Sequence, residues 1–163
     1  VPAYEELKTP ERFDGIAMTF VHPTINDRRE IEACFRKCTK VTSRGADLVV
    51  LGLAPTSFDS KNQFLFYGHN TKRPRFDAEP FENELRKPGG KKLRFIDYFW
   101  NTQTLKRLIE EAGFVRTTVI PVTTSMGKPL KTNLESALAE QRGIMWEDEW
   151  TAPLYQIIHA KRG

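Results

Sequence analysis

Apolar and polar positions sort the chain into a short series of elements. Phe13 to Val21 (Phe-Asp-Gly-Ile-Ala-Met-Thr-Phe-Val) carries no charge after Asp14 and is apolar in both phases, the pattern of a strand buried on both faces. Asp27-Arg28-Arg29-Glu30 then has the form of a capping box, with the Asp27 carboxylate placed to accept a free amide near Glu30. Ile31, Cys34, Phe35, Cys38 and Val41 recur at helical spacing, while Arg29, Glu32, Arg36, Lys37 and Lys40 take the opposite side. Ser43-Arg44-Gly45 is expected to stop this helix, with Gly45 in the left-handed position past its end. Leu48 to Leu53 is a second apolar strand. Strand, helix and strand in this order predict two parallel strands joined by a right-handed crossover.

Beyond Ala54 the periodicity fades. Phe58 to Lys92 scatters Gly, Pro and charge, yet Phe64, Phe66, Tyr67, Phe76 and Phe81 make it too aromatic for a disordered linker. Residues 54–92 are therefore expected to form a lid-like or substrate-binding insert. Leu93 to Trp100 alternates as a strand, and Asn101 or Thr102 caps a helix whose apolar face is Leu105, Leu108, Ile109 and Ala112. Gly113 ends that helix, and Phe114 to Val122 is β-branched and strand-like. Asn133 to Arg142 reads as a helix, with Leu134, Ala137 and Leu138 inward, and Leu154 to Ala160 as a last strand. Val1 to Arg12, with two prolines, reads as a surface lead-in.

Composition adds bounds. The 163 residues make one domain's worth of chain, and no apolar run approaches the ~20 residues of a membrane span. The N-terminus, Val-Pro-Ala-Tyr-Glu-Glu, lacks the basic-then-apolar order of a signal peptide, and without an initiating Met it reads as processed or as starting inside a longer protein. Cys34 and Cys38 have no Cys or His at metal-ligand spacing; reduced thiols, no metal and a cytoplasmic setting are expected. The net charge of +4 gathers partly between His69 and Arg94, where Asp77, Glu79, Glu82 and Glu84 are interleaved. That mixture suits a solvated face better than a nucleic-acid site, with nucleic-acid binding through this basic insert, or a non-catalytic interaction module, as the alternative functions.

The order of elements resembles the C-terminal half of a class I S-adenosylmethionine-dependent methyltransferase. Phe13-Asp14-Gly15-Ile16-Ala17 is similar to that family's fourth strand, Asp27-Arg28-Arg29-Glu30 to the start of the following helix, and Arg44-Gly45 to the turn before the fifth strand. Glu111-Ala112-Gly113-Phe114 resembles the turn before the sixth strand, and Tyr155 to Lys161 the terminal seventh. Lys87-Pro88-Gly89-Gly90 also looks like a turn before a fifth strand, but that alternative leaves Leu48 to Leu53 unexplained. The resemblance implies an α/β fold: half of a Rossmann-like sheet in the order four-five-seven-six, mostly parallel with an antiparallel last strand. Residues 1–163 would form one partial domain carrying the aromatic insert.

The resemblance further implies S-adenosylmethionine as cofactor and a small-molecule methyl acceptor. Thr19, Phe20 and Val21 would lie beside the methionine part of the cofactor, and His22 would face cofactor or acceptor. A histidine there is either a base titrating near neutrality or a loop residue capping the strand end. His22-Pro23-Thr24-Ile25 departs from the Asn/Asp-Pro-Pro-aromatic motif of family members that modify exocyclic amines of DNA or protein glutamine. Phe58, Tyr67, His69, Tyr98, Phe99, Trp100 and Trp146 are candidate acceptor-binding aromatics and polar groups, each also suited to plain core packing. His159 is expected to be structural. The family's glycine-rich turn and ribose-binding carboxylate have no counterpart, since the sequence holds no Gly-x-Gly. The strand at 15–21 would then be an apolar edge, to be met by a separate N-terminal half or by a second copy.

Overall fold

The computed structural model describes residues 12–58, 67–69, 74–86, 92–122 and 155–163. Strand β1 is Phe13–Thr19, helix α1 Arg28–Val41 and strand β2 Thr42–Leu53. Short strands β3 (Tyr67–His69) and β4 (Glu79–Arg86) precede β5 (Lys92–Phe99), α2 (Thr102–Glu111), β6 (Phe114–Val122) and β7 (Tyr155–Arg162). The helix expected at 133–142 lies outside the described residues.

Two sheets result: a four-stranded one in the order β1-β2-β7-β6 and a three-stranded one in the order β3-β4-β5. β1 and β2 are parallel, from Gly15 opposite Asp47 to Thr19 opposite Leu51. β7 runs antiparallel to β2 on one side and to β6 on the other. Three strands thus share a direction and the last in sequence is reversed, as the resemblance implied. β1 is less enclosed than its apolar sequence suggests. Met18 is buried and Ile16 packs against the core, but Ala17 and Thr19 are exposed, so among the described residues one face is covered.

That face is covered by both helices. Ile31, Phe35 and Cys38 of α1 and Leu105, Leu108 and Ile109 of α2 pack with Met18, Leu48, Val50, Phe114, Ile158 and Ala160. Spacings of three and four place each helix's inward residues on one stripe. Asp27 caps α1, but its carboxylate accepts from the Arg29 amide at 2.7 Å rather than from Glu30. Asn101 caps α2 in the same way, accepting from the Gln103 amide at 2.9 Å. Gly113, at φ 100, lies past the end of α2 as expected.

Gly45 does adopt a positive φ of 79, but not as a helix cap. The helix ends earlier, at Val41, and Gly45 sits within β2, where the pairing jumps from Phe13–Thr42 to Gly15–Asp47. A bulge of this size needs a residue free to turn left-handed, which glycine supplies at little steric cost. His159, expected to be structural, lies in β7 beside Asp47. Its Nε2 lies 2.6 Å from Asp47 Oδ1, which also accepts from Lys161 Nζ at 2.6 Å. Among the described residues, no helix is long and apolar enough to cross a membrane, and no cluster of His, Cys, Asp and Glu is arranged to hold a metal.

The small sheet is the main departure from the sequence reading. Residues 54–92 contain β3 and β4: β4 pairs with β5, and β3 adds to the far side of β4. Asp77 ties this sheet to the helical layer: its two oxygens accept from the Asn101 amide and from Thr104 Oγ1, both at 2.7 Å. Lys92 and Arg94, part of the basic cluster, are engaged by Glu84 and Glu82.

Candidate functional site

The carboxyl end of β1 is shaped by a change of backbone direction. Phe20 leaves the strand with φ 54, while its amide still bonds the Leu51 carbonyl at 3.0 Å. A left-handed conformation is unfavourable for a bulky residue and marks a place where surrounding structure dictates the turn. The Phe20 ring stays 42% exposed and meets Tyr155 edge-on, centroids 5.5 Å apart. Val21 then opens a turn of 3-10 helix over His22, Pro23 and Thr24. Its carbonyl accepts from the Thr24 amide and hydroxyl at 3.1 and 2.8 Å. Pro23 suits this first turn because its missing N–H has no intrahelical partner there.

This turn drives His22 into the interior. His22 is 5% exposed and its ring lies against Gly52 of β2, where a methyl group would overlap the imidazole. Among the described residues Nδ1 has no hydrogen-bond partner, and burial pulls the imidazole pKa down to about 4. A buried imidazole keeps the neutral form because the charged one loses its hydration. The turn is held from the other side by Trp100, whose indole N–H donates to the Ile25 carbonyl at 2.9 Å.

His22 and Pro23 form one wall of a cleft whose other walls are Leu53, Phe58, Phe81, Tyr98, Phe99 and Trp100. The cleft is shallow and half open to solvent; its enclosed volume is about 10 Å³, room for about one water molecule. It lies where Leu53 ends β2 and the small sheet crosses over, at the carboxyl ends of the parallel strands. Ligands in open α/β sheets bind at that end.

Of the residues singled out from sequence, His22, Phe58, Tyr98, Phe99 and Trp100 meet at this cleft. Thr19, Phe20 and Val21 lie beside it at the end of β1, Thr19 and Phe20 exposed and Val21 packed against the core. The backbones of Tyr67 and His69 pair with Leu85 and Asn83, which puts them on the far side of β4 from β5. Trp146 lies outside the described residues. Trp100 is core as much as wall, at 4% exposure with its only polar atom engaged. Phe81, Leu53 and Pro23 were not foreseen as lining residues. Nor was Gly52, although a glycine inside an apolar strand signals a close approach.

No protein-family model and no curated protein sequence matches the chain. Solved structures do. A putative S-adenosylmethionine-dependent methyltransferase from Listeria monocytogenes superposes with TM-score 0.56 at 10% identity, over 95% of this chain and 63% of its own. An S-adenosylmethionine-dependent methyltransferase from Clostridium acetobutylicum gives TM-score 0.55 at 9% identity, over 96% of this chain and 61% of its own. The glycopeptide N-methyltransferase MtfA, complexed with S-adenosylhomocysteine, gives TM-score 0.51 at 10% identity, over 95% of this chain and 57% of its own. This is a partial class I methyltransferase fold. The chain spans about three-fifths of the length of these neighbours. The order β1-β2-β7-β6 with β7 reversed is the four-five-seven-six block of that sheet.

Proposed function

We propose that this chain is the acceptor-side part of an S-adenosylmethionine-dependent methyltransferase acting on a small molecule. The observation that carries the reading is the aromatic cleft at the carboxyl ends of β1 and β2, on a sheet with the methyltransferase strand order. The residues present fit one flank of the cofactor only. The left-handed turn at Phe20 and the exposed backbone from Thr19 offer a shelf at the end of β1. The glycine-rich turn and ribose carboxylate that would hold the rest are not in this sequence. The cofactor would supply an electrophilic methyl group, and the chain's own residues would position the acceptor and keep water away.

In this reading Phe58, Tyr98 and Trp100 wall the acceptor, and β4 with β5 forms the cover over the strand ends. His22 stays neutral at neutral pH and contributes its ring to the cleft wall. An imidazole held near 4 is a weak base, so its task is orientation more than strong proton abstraction. Tyr67, His69 and Trp146 remain proposed acceptor contacts. Reduced Cys34 and Cys38 suit a cytoplasmic setting. The remaining flank of the cofactor site, and the outer edge of β1, would be completed by an N-terminal half or by a second copy.

A second reading, a non-catalytic interaction module, is favoured by one observation: the sequence has no Gly-x-Gly. The test is a titration of the chain with S-adenosylhomocysteine, followed by calorimetry and by amide chemical shifts. We expect binding too weak for micromolar calorimetry, with millimolar ligand moving the amides of Thr19, Phe20 and Val21. Micromolar affinity would contradict the missing flank, and unmoved amides at 19–21 would remove the methyltransferase reading.

A further inference from the structure

Phe81 of β4 and Asp97 of β5 are direct cross-strand partners, so their side chains leave the same face of the small sheet. Phe99, two residues along β5, shares that face. Phe58 meets Phe81 and Phe99 edge-on there, with centroids 5.0 and 5.7 Å apart. The cluster includes Leu53 and Tyr155, the end of β2 and the start of β7. The face carrying Asp97 therefore looks onto the carboxyl ends of the large sheet, beside the cleft.

Asp97 is out of place in this company. It is half-buried, and its Oδ2 accepts a 2.6 Å bond from Nδ2 of Asn83, a residue with no exposed surface. Among the described residues no cation pairs with it. Lys92 and Arg94 alternate onto the other face of β5 and go to Glu84 and Glu82. Burial pushes the Asp97 carboxyl up to about 6, against the opposing pull of the Asn83 bond. A partly desolvated carboxylate without a counter-charge is costly to the fold, and such a group beside a cleft is a candidate for ligand recognition. Asn83 fixes one oxygen and leaves the other for a ligand.

We propose that Asp97 anchors the amino group of the methyl acceptor, which makes that acceptor a small amine with an apolar body. The ammonium lies on Asp97 Oδ1 and the apolar part against Phe58 and Phe99. An alcohol of the same shape donates one hydrogen bond to the carboxylate but brings no counter-charge, so the site discriminates by charge. The proposal rests on the methyltransferase reading for the word acceptor, but not for the site.

The probes are phenethylamine and 2-phenylethanol, which share shape and differ in charge. Each is titrated into the full chain at neutral pH while amide shifts are followed. We expect the amine to move Phe81, Asp97 and Phe99 and to bind about tenfold more tightly than the alcohol. Asp97→Asn should erase that preference while raising the denaturant midpoint at neutral pH, because a neutral amide carries no desolvated charge. A carboxylate kept for structure alone would lower the midpoint on replacement. Equal binding of the two probes, binding of neither, or an Asp97→Asn protein that still prefers the amine overturns the proposal. Amine preference at Asp97 with unmoved amides at Thr19 to Val21 would keep this site and reject methyl transfer.

Discussion

The imidazole of His22 lies against Gly52, with Nδ1 unpartnered among the described residues, and burial holds its pKa near 4 in place of 6.5. In the unfolded chain the same group binds a proton near its ordinary value. The neutral form is thus favoured by folding, so stability is intact above about pH 6.5 and falls as pH drops from there towards 4. The shift corresponds to about 3 kcal/mol, an order-of-magnitude figure. The expected outcome is a denaturant midpoint that falls between those pH values in the parent and far less in His22→Phe. Identical pH profiles for the two would show that His22 is solvated. His22 was recognisable from sequence as the residue after β1, but its neutral state was not. That state depends on Gly52, thirty positions away, and on aromatic rings brought in by the small sheet. Asp97 left a fainter trace. It occupies the same alternating phase as Phe95 and Phe99, and a charge in an apolar phase is a departure with a reason behind it.

Elements with local signals were legible. α1 and α2 announce themselves through Asp27 and Asn101, through apolar stripes, and through outward pairs such as Arg28–Glu32–Arg36. The Asp27 cap yields a direct test. Asp27→Ala removes the acceptor for the Arg29 amide and should cost about 1 kcal/mol, read as a lower denaturant midpoint with unchanged slope. Asp27→Ser, which keeps an acceptor, should recover most of it, and coincident midpoints for Asp27→Ala and parent would misplace the helix start. β4 was illegible for an equally physical reason. Glu79-Pro80-Phe81-Glu82-Asn83-Glu84 hides its alternation because Asn83 and Glu84 are buried with partners instead of being apolar. Its strand character comes from pairing with β5, a tertiary fact that no local window contains.

At the scale of the whole molecule, the order β1-β2-β7-β6 leaves β1 and β6 as the edges of the large sheet. β6 is shielded in part by its own irregularity, with a register shift between Val115 and Thr118 and Arg116 at φ 55. A bulge of that sort turns an edge away from further pairing. β1 has no such device between Gly15 and Thr19, where its pairing with β2 is regular. Its outward amides and carbonyls form a flat template, flanked by Phe13 and Phe20, which are 43% and 42% exposed. Among the described residues no strand meets this side. The proline pair Pro2 and Pro10 makes residues 1–11 a poor candidate, since each removes a ladder donor. The chain spans about three-fifths of its neighbours of known structure, and a separate polypeptide along the β1 edge is one proposed way to satisfy it. A second copy would serve as well, joining β1 to β1 through a symmetric contact that continues the sheet. The expected result of a light-scattering dilution series is therefore a mass above 18.8 kDa that falls only at low concentration. Replacing Ala17 by proline should shift that dissociation to higher concentration by breaking the ladder, provided circular dichroism shows the helices intact. A parent chain that stays folded as an 18.8 kDa monomer at every concentration, with no other polypeptide present, would mean that the β1 edge is satisfied from within.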